Sequence, residues 1–347
     1  MRIAMILPSL AKTGPGFVVK DLCTEFVKMG HTCKVFYFDE GEGLDMPCPT
    51  ECIRFTQPFD FENWDIIHSH MFRPDGYVWY HRKKIRKSGA KTVSTLHQPI
   101  AIKTLNENDS FCKMLSLWIG WQIFLRIIDH IVVLNSVTQR ELPDKIRNKS
   151  TVIFNGRIIH DDKYGYNEDI ETIRRKIKGY SVLGTAASLT KRKGIDQMIQ
   201  ALPSLENHIL IILGEGPERN YLQKLACNLK VEDRCLFLGF KNNVNAYLKL
   251  IDIFLMCSSA EGFPLAYIEA SAFGKPSVLS DIPILKSITS LKNGACFYKR
   301  NDITDLVSKI LFVKENLIEL SEKAKRFYES SLSSTSMANN YIKIFNK

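Results

Sequence analysis

Ser258-Ser259-Ala260-Glu261-Gly262-Phe263-Pro264-Leu265-Ala266-Tyr267-Ile268-Glu269 is the stretch whose reading decides the fold. The run Ile251 to Cys257 before it is short and apolar, as a buried strand is. Ala270 to Phe273 continues a helix, and Gly274-Lys275-Pro276 ends it. The unit is therefore strand, loop, helix. Gly262 lets backbone approach a ligand closely, and Pro264 suits a first helical turn, where its missing N–H costs nothing. The free N–H groups of that turn, with the helix dipole, form an anion site suited to phosphate. Glu261 in the loop and Glu269 two turns into the helix cannot help bind phosphate. They can accept hydrogen bonds from sugar or ribose hydroxyls. Phosphate donors flanked by two hydroxyl acceptors describe a nucleotide-sugar pocket.

Around this stretch lies an alternating array that begins at Ser181. Strands read at Ser181 to Ala187, Ile209 to Leu213, Cys235 to Leu238, Ile251 to Cys257 and Ser277 to Leu279, with helical stripes between them. Ser188-Leu189-Thr190-Lys191-Arg192-Lys193-Gly194 follows the first of these strands and opens a helix. Three consecutive cations beside a helix N-terminus suit a diphosphate, with solvated surface the competing reading for Lys191. In Leu213-Gly214-Glu215-Gly216-Pro217 the glycines permit a tight turn close to a nucleotide. Gly239-Phe240 ends the next strand, and Phe240 reads equally as ordinary core.

The first half alternates in the same way. Arg2 to Ser9 is a buried strand rather than a signal segment, since it lacks a long apolar region and a cleavage site. Thr13-Gly14-Pro15-Gly16 is a turn, Phe17 to Met29 a helical stripe closed by Gly30, and Thr32 to Phe38 a second strand. Further strands end at His70, His97, Asn135-Ser136 and Asn155-Gly156. Ligands of open α/β sheets bind beyond the carboxyl ends of strands, which makes all four ends candidates. Capping or turn roles are the alternative for Ser136 and Asn155. Phe111 to Ile128 is helix-length and apolar on most sides, either buried against the sheet or resting on a membrane. Two such arrays, separated by a polar linker from His160 to Asp169, predict two α/β domains facing a cleft. The boundaries read as 1–160 for the first domain and 161–327 for the second, with 328–347 a terminal helical segment.

The bulk numbers narrow the partners. The chain has 347 residues and a formal charge of +10, with Lys and Arg scattered rather than blocked, so no nucleic-acid stripe is expected. Nine cysteines, several inside apolar runs (Cys23, Cys33, Cys257), read as free thiols of a reducing cytosol. Cys48 and Cys52 have no second pair at zinc spacing, and no Asp-x-Asp stands at a strand end, so no metal is expected. No run approaches about 18 uncharged apolar residues, the length that begins to suggest a span.

The string Ser-x-x-Glu-Gly-Phe-Pro, followed by Ile-Glu-Ala and Gly-Lys-Pro, resembles the Glu-x7-Glu signature of the retaining GT-B glycosyltransferases of family 4 (glycosyl transferases group 1), of the bacterial surface-polysaccharide type. The resemblance is strong from Ser181 to Asp281 and thin over Gly41 to Asn63 and Ala101 to Asp129. It implies the GT-B fold, two doubly wound (Rossmann-like) parallel-sheet domains, with 1–160 the acceptor-side domain, 161–327 the nucleotide-sugar domain and helix 328–347 packing back on the first. It implies that Glu261 faces the donor sugar, that Glu269 holds the ribose, and that Gly262 and Phe263 contact sugar and diphosphate through backbone. It implies Gly14 and Gly16 beside the donor phosphates, Gly214 near the nucleotide, Phe240 at the base and His97 near the donor sugar and acceptor. Lys193 matches the family Lys. Ser188 stands where the family has Arg, so Arg192 or Lys191 is the candidate for the missing charge.

The implied catalytic set is Glu261, His97 and Lys193, with no cofactor and a UDP- or GDP-linked donor as substrate. The implied acceptor is a lipid-linked oligosaccharide or sugar, met in the cytoplasm with peripheral contact at the inner membrane. A nucleotide-sugar epimerase of the same fold and a non-catalytic sugar-nucleotide-binding subunit are the alternatives.

Overall fold

The computed structural model describes residues 1–41, 43–97, 111–159 and 168–347. It divides into two compact units, Met1–Arg157 with Leu332–Lys347, and Ile158–Ser331. The expected linker from His160 falls largely outside the described residues; Glu168 and Asp169 already belong to helix Glu168–Ile177.

The first unit is built on seven parallel strands: β1 (Arg2–Ser9), β2 (Thr32–Asp39), β3 (Thr50–Cys52), β4 (Ile66–His70), β5 (Lys91–Leu96), β6 (His130–Val133) and β7 (Ser150–Val152). Their spatial order is β3-β2-β1-β4-β5-β6-β7. Parallel strands are covered on both faces and so read as unbroken apolar runs. Ile3 to Leu7 in β1 are buried without a gap. The second unit holds β8 (Ser181–Ala186), β9 (His208–Leu213), β10 (Cys235–Gly239), β11 (Ile253–Met256), β12 (Ser277–Ser280) and β13 (Ala295–Tyr298). Their order is β10-β9-β8-β11-β12-β13, again all parallel. Its core joins Leu210, Ile212 and Leu255 to Ile199, Leu222 and Ile310 on the flanking helices. In each sheet the chain reverses direction of growth beside its first strand, between β1 and β4 and between β8 and β11. Ligands of such sheets bind at that switch point.

Helix Ser334–Phe345 belongs to the first unit, although it follows the second in sequence. Backbone pairing at Arg157 leads it home: the Arg157 N–H donates to Leu332 O (3.1 Å) and the Ser334 N–H to Arg157 O (3.2 Å). A side chain at Gly156 would meet Ser333 O at 2.2 Å, so only glycine admits this pairing. The helix then docks on helix Gly14–Lys28. The Glu25 carboxylate accepts from the hydroxyls of Ser334 and Thr335, both at 3.0 Å, while Phe26 packs on Phe345. The Glu25 carboxylate also takes the Lys28 ammonium at 3.2 Å.

Glu25→Ala leaves the buried Ser334 hydroxyl without its acceptor, a loss of about 1–3 kcal/mol. Amide hydrogen exchange of helix Ser334–Phe345 should accelerate while β1 keeps its protection. Equal acceleration in both would show that Glu25 does not act locally.

Candidate active site

At the switch point of the second sheet, β8 and β11 lie side by side, with Ile253 opposite Leu183 and Phe254 opposite Gly184. Their carboxyl ends release two loops, Ala187 to Gly194 and Cys257 to Pro264. Several contacts lash them together. The Ser259 N–H donates to Arg192 O at 2.8 Å, the Arg192 guanidinium to Ala260 O at 3.0 Å, and the Gln197 amide to Cys257 O at 3.4 Å. Gly194 sits at φ +61°, and a side chain there would meet Cys257 O at 2.3 Å. The result brings Lys193 Nζ to 2.5 Å from Glu261 Oε1, with 16% and 7% of the side chains exposed. Residues 68 apart in sequence thus form one nearly buried ion pair. Breaking such a pair by removing one partner typically costs about 3–5 kcal/mol, because a charge is left uncompensated.

The Arg192 guanidinium gives one of its donors to the loop carbonyl of Ala260, bracing the Glu261 loop. Lys193 makes a single hydrogen bond to Glu261. An ammonium has three donors, so it can hold a phosphate oxygen without releasing Glu261. Pro264 lies at extended backbone angles (φ −80°, ψ 100°) just before helix Leu265–Ala272, rather than inside its first turn. Glu269 stands half-buried in the second turn of that helix, between the buried Ile268 and Ala270. Two features escaped the sequence reading: the Ser258 and Thr190 hydroxyls, one on each lashed loop, lack hydrogen-bond partners among the described residues although their oxygens are enclosed. No periodicity or motif marks a buried hydroxyl.

The loops after β9 and β10 join the same end of the sheet. The Gly214 N–H donates to Gly239 O at 2.8 Å, and the Leu189 N–H to Glu215 O at 2.9 Å. Side chains at Gly214 and Gly216 would strike Ala187 O at 2.0 Å and Leu189 O at 2.4 Å. These glycines therefore serve the close approach of loop to loop. Phe240, 72% exposed, is not core. A cavity of about 490 Å³ in the first unit is lined by Phe38, Phe55, Arg54 and Arg73, and one of about 570 Å³ in the second by Thr190, Asp196 and Tyr221; neither includes Glu261, Glu269 or Lys193.

In the first unit, Gly14 and Gly16 form the opening turn of helix Gly14–Lys28. A side chain at Gly16 would meet Ala11 O at 2.5 Å. Asn135 caps helix Ser136–Glu141 by accepting from the Thr138 N–H at 2.8 Å, so the capping role weighed for Ser136 falls one residue earlier. Asn155 is buried with its Oδ1 unpartnered among the described residues. The ends of β4 and β5 hold three buried histidines, His68, His70 and His97. His70 Nδ1 and His97 Nε2 are 3.0 Å apart. His68 Nε2 meets Thr95 Oγ1 at 2.8 Å, and Thr95 Oγ1 meets the Tyr341 hydroxyl at 2.8 Å. Burial holds His97 down at about 4 and His68, also beside His97, at about 3. It drives His70 well below its usual range, with His68 and His97 adding to the effect.

Beneath them Asp75 accepts from Ser69 Oγ (2.6 Å) and Trp121 Nε1 (2.7 Å), while burial raises its carboxyl to about 6. Trp121 is thereby fixed in the core, as the buried reading of its helix required. Ile119 and Ile123 of the same helix, Phe111–Arg126, stay exposed. Among the described residues no three His, Cys, Asp or Glu side chains converge on a metal-binding geometry.

The sequence profile described as Glycosyl transferases group 1 matches residues 167–331, and that described as Glycosyltransferase Family 4 matches residues 13–158. The chain belongs to this glycosyltransferase family. It is similar to the O-antigen biosynthesis glycosyltransferase WclY of Escherichia coli, at 28% identity across 100% of this chain and 98% of that protein. In fold it is similar to HepE of Anabaena, solved in complex with UDP (TM-score 0.78, 16% identity, 100% of both chains). It is likewise similar to the lipopolysaccharide outer core galactosyltransferase WaaB in its apo form (TM-score 0.72, 17% identity, 100% of this chain and 99% of that one). This glycosyltransferase thus has the GT-B architecture of two parallel-sheet domains.

The buried histidines give it a pH signature. His68 and His97 titrate lower when folded than their ordinary value of 6.5, so the stability they contribute is complete above 6.5 and is lost as pH falls toward 4 and 3. Asp75 acts oppositely: with its folded value raised to about 6 from 3.8, it favours the fold as pH falls between these values. Two histidine losses outweigh one carboxyl gain. The unfolding midpoint followed by tryptophan fluorescence should fall between pH 6.5 and 4, less steeply in His97→Asn. A flat midpoint over that range would contradict the neutral buried pair.

Proposed function

We propose that this glycosyltransferase moves a sugar from a UDP- or GDP-linked donor to an acceptor hydroxyl with retention of anomeric configuration, in the assembly of a bacterial surface polysaccharide. The observation that carries this reading is the Lys193–Glu261 pair at the switch point of the second sheet. Expulsion of a nucleoside diphosphate concentrates negative charge on its β-phosphate. Lys193 and the backbone N–H groups of Gly262 and Phe263 stabilise that charge electrostatically, with no metal or cofactor. Glu261, held through Oε1, keeps Oε2 for the hydroxyls of the donor sugar. Glu269 holds the ribose, and His97 lies near the donor sugar and the acceptor. The phosphate itself takes the acceptor proton in a same-face displacement, so Glu261 is not a nucleophile. WclY and WaaB are transferases by name, which supports transfer over the epimerase alternative.

The acceptor in this reading is lipid-linked and the enzyme attaches peripherally at the cytoplasmic face of the membrane. No helix of the described residues is long and apolar enough to cross a membrane. Exposed Ile119 and Ile123, and the exposed cations Lys83, Lys84, Arg86 and Lys87 of helix Arg82–Ser88, suit an anionic lipid surface. The protein should sediment with anionic liposomes at low salt and be released at high salt; absence from the low-salt pellet would argue against attachment.

Nucleotide release from a panel of UDP- and GDP-sugars, measured in chelator with and without sugar acceptors, tests the reaction. Release that requires added magnesium or manganese would overturn the metal-free account. Glu269→Gln should raise donor KM with a smaller effect on kcat, because ribose is held in ground and transition states alike. Glu261→Gln should lower kcat by roughly ten- to a hundredfold and leave nucleotide affinity nearly intact, since lost hydrogen bonds to charged groups cost about 1.5–3 kcal/mol. The opposite pattern reverses the two roles.

A further inference from the structure

We propose that His70 is the positioning residue for His97, fixing that ring as its Nδ1–H tautomer with Nε2 as the acceptor. This rests on the reading that His97 faces the donor sugar. His70 ends β4, and the register sets it opposite Thr95 of β5. His97 is two residues beyond Thr95, hence on the same face of the sheet as its partner. The 3.0 Å separation of His70 Nδ1 from His97 Nε2 is a hydrogen bond, in which one nitrogen donates and the other accepts. Both rings are driven by burial toward the neutral form, and a neutral imidazole has one donor and one acceptor.

The direction of that bond follows from the other edge of His70. Its Nε2 is enclosed and has no hydrogen-bond partner among the described residues. Were His97 the donor, the hydrogen of His70 would sit on Nε2, an orphaned buried N–H, which is the rarer and costlier defect. With His70 donating from Nδ1, its Nε2 is only a bare lone pair. The hydrogen of His97 then lies on Nδ1, which bonds to no described residue. His97 retains 7% exposure while His70 has none. His97 therefore offers an N–H donor, suited to a sugar hydroxyl oxygen.

The neighbours leave this pairing undisturbed. His68, whose ring lies 4.1 Å from that of His70, is engaged by Thr95, which in turn meets Tyr341 of helix Ser334–Phe345. Asp75, on helix Phe72–Tyr80, is engaged by Ser69 and Trp121.

Long-range ring-nitrogen NMR on the full-length protein with labelled histidine reads the tautomer directly. Wild type at neutral pH should show His97 as Nδ1–H alone. His70→Leu should admit the Nε2–H form and lower kcat about tenfold, as loss of a group that orients a histidine commonly does, with UDP or GDP affinity unchanged. His70→Asn, whose amide nitrogen can replace the Nδ1 donor, should recover most of that loss. A wild-type spectrum showing Nε2–H at His97 overturns the proposal. So does a His70→Leu enzyme with unaltered rate and tautomer. His97→Ala separates the two claims: unchanged transfer removes the role of His97 and with it anything for His70 to position. Slowed transfer in His97→Ala beside normal transfer in His70→Leu defeats the inference alone. If His70→Leu does not fold, the wild-type spectrum and His70→Asn decide.

Discussion

The placement of β11 directly beside β8 is the constraint on which the second unit's site depends. Hydrogen-bonded strands run about 4.8 Å apart, so the loops leaving their carboxyl ends must share a narrow space. Gly184 makes room for this neighbour: a side chain there would strike Ile251 Cδ1 at 2.1 Å. Above it, Gly194 admits the carbonyl of Cys257, and Arg192 ties down Ala260. Once the loops are pinned by backbone contacts, the Lys193 ammonium and the Glu261 carboxylate meet at 2.5 Å. A nearly buried ion pair is a weak source of net stability, because desolvation offsets much of its attraction. Its value here is positional: each charge is held at a known point at the end of the sheet.

The first unit uses a different device at the same end of its sheet. Neutral buried imidazoles take the place of charges. Helix Ser334–Phe345 closes the array by bringing the Tyr341 hydroxyl to Thr95, which engages His68. The last residues of the chain therefore support a polar network begun some 270 positions earlier, as the separations of 246 from Tyr341 to Thr95 and 27 from Thr95 to His68 require. Glu25, Gly156 and Arg157 secure that helix in place.

Strands buried on both faces were legible because they leave unbroken apolar runs, and β9, His-Ile-Leu-Ile-Ile-Leu, is the plainest. Two edge strands were not. β3 is three residues long with each of them exposed, and β13 is the four residues Ala-Cys-Phe-Tyr. Neither offers enough periods to stand out from a loop. The helix Phe111–Arg126 is apolar on most sides, so its pattern did not tell core from membrane; only the Trp121–Asp75 bond assigned one side inward. Arg192 shows a related limit. Its charge suggested phosphate, but its hydrogen bond to the Ala260 carbonyl, which ties the two loops together, is recorded by no sequence pattern.

The sequence by itself determined the alternation of strand and helix, the two-domain α/β class and the family, because hydrophobic period, turn glycines and the Glu261 to Glu269 string are local properties of the chain. Only the tertiary structure decided which side chains meet. Lys193 reaches Glu261 across 68 residues and His70 reaches His97 across 27, each through a parallel strand pairing. Parallel neighbours are joined by long crossover connections, so their register is set by packing of the whole sheet and not by any turn between them. For that reason the candidate residues could be read from the sequence one at a time, while their pairing into a buried ion pair and a histidine hydrogen bond could not.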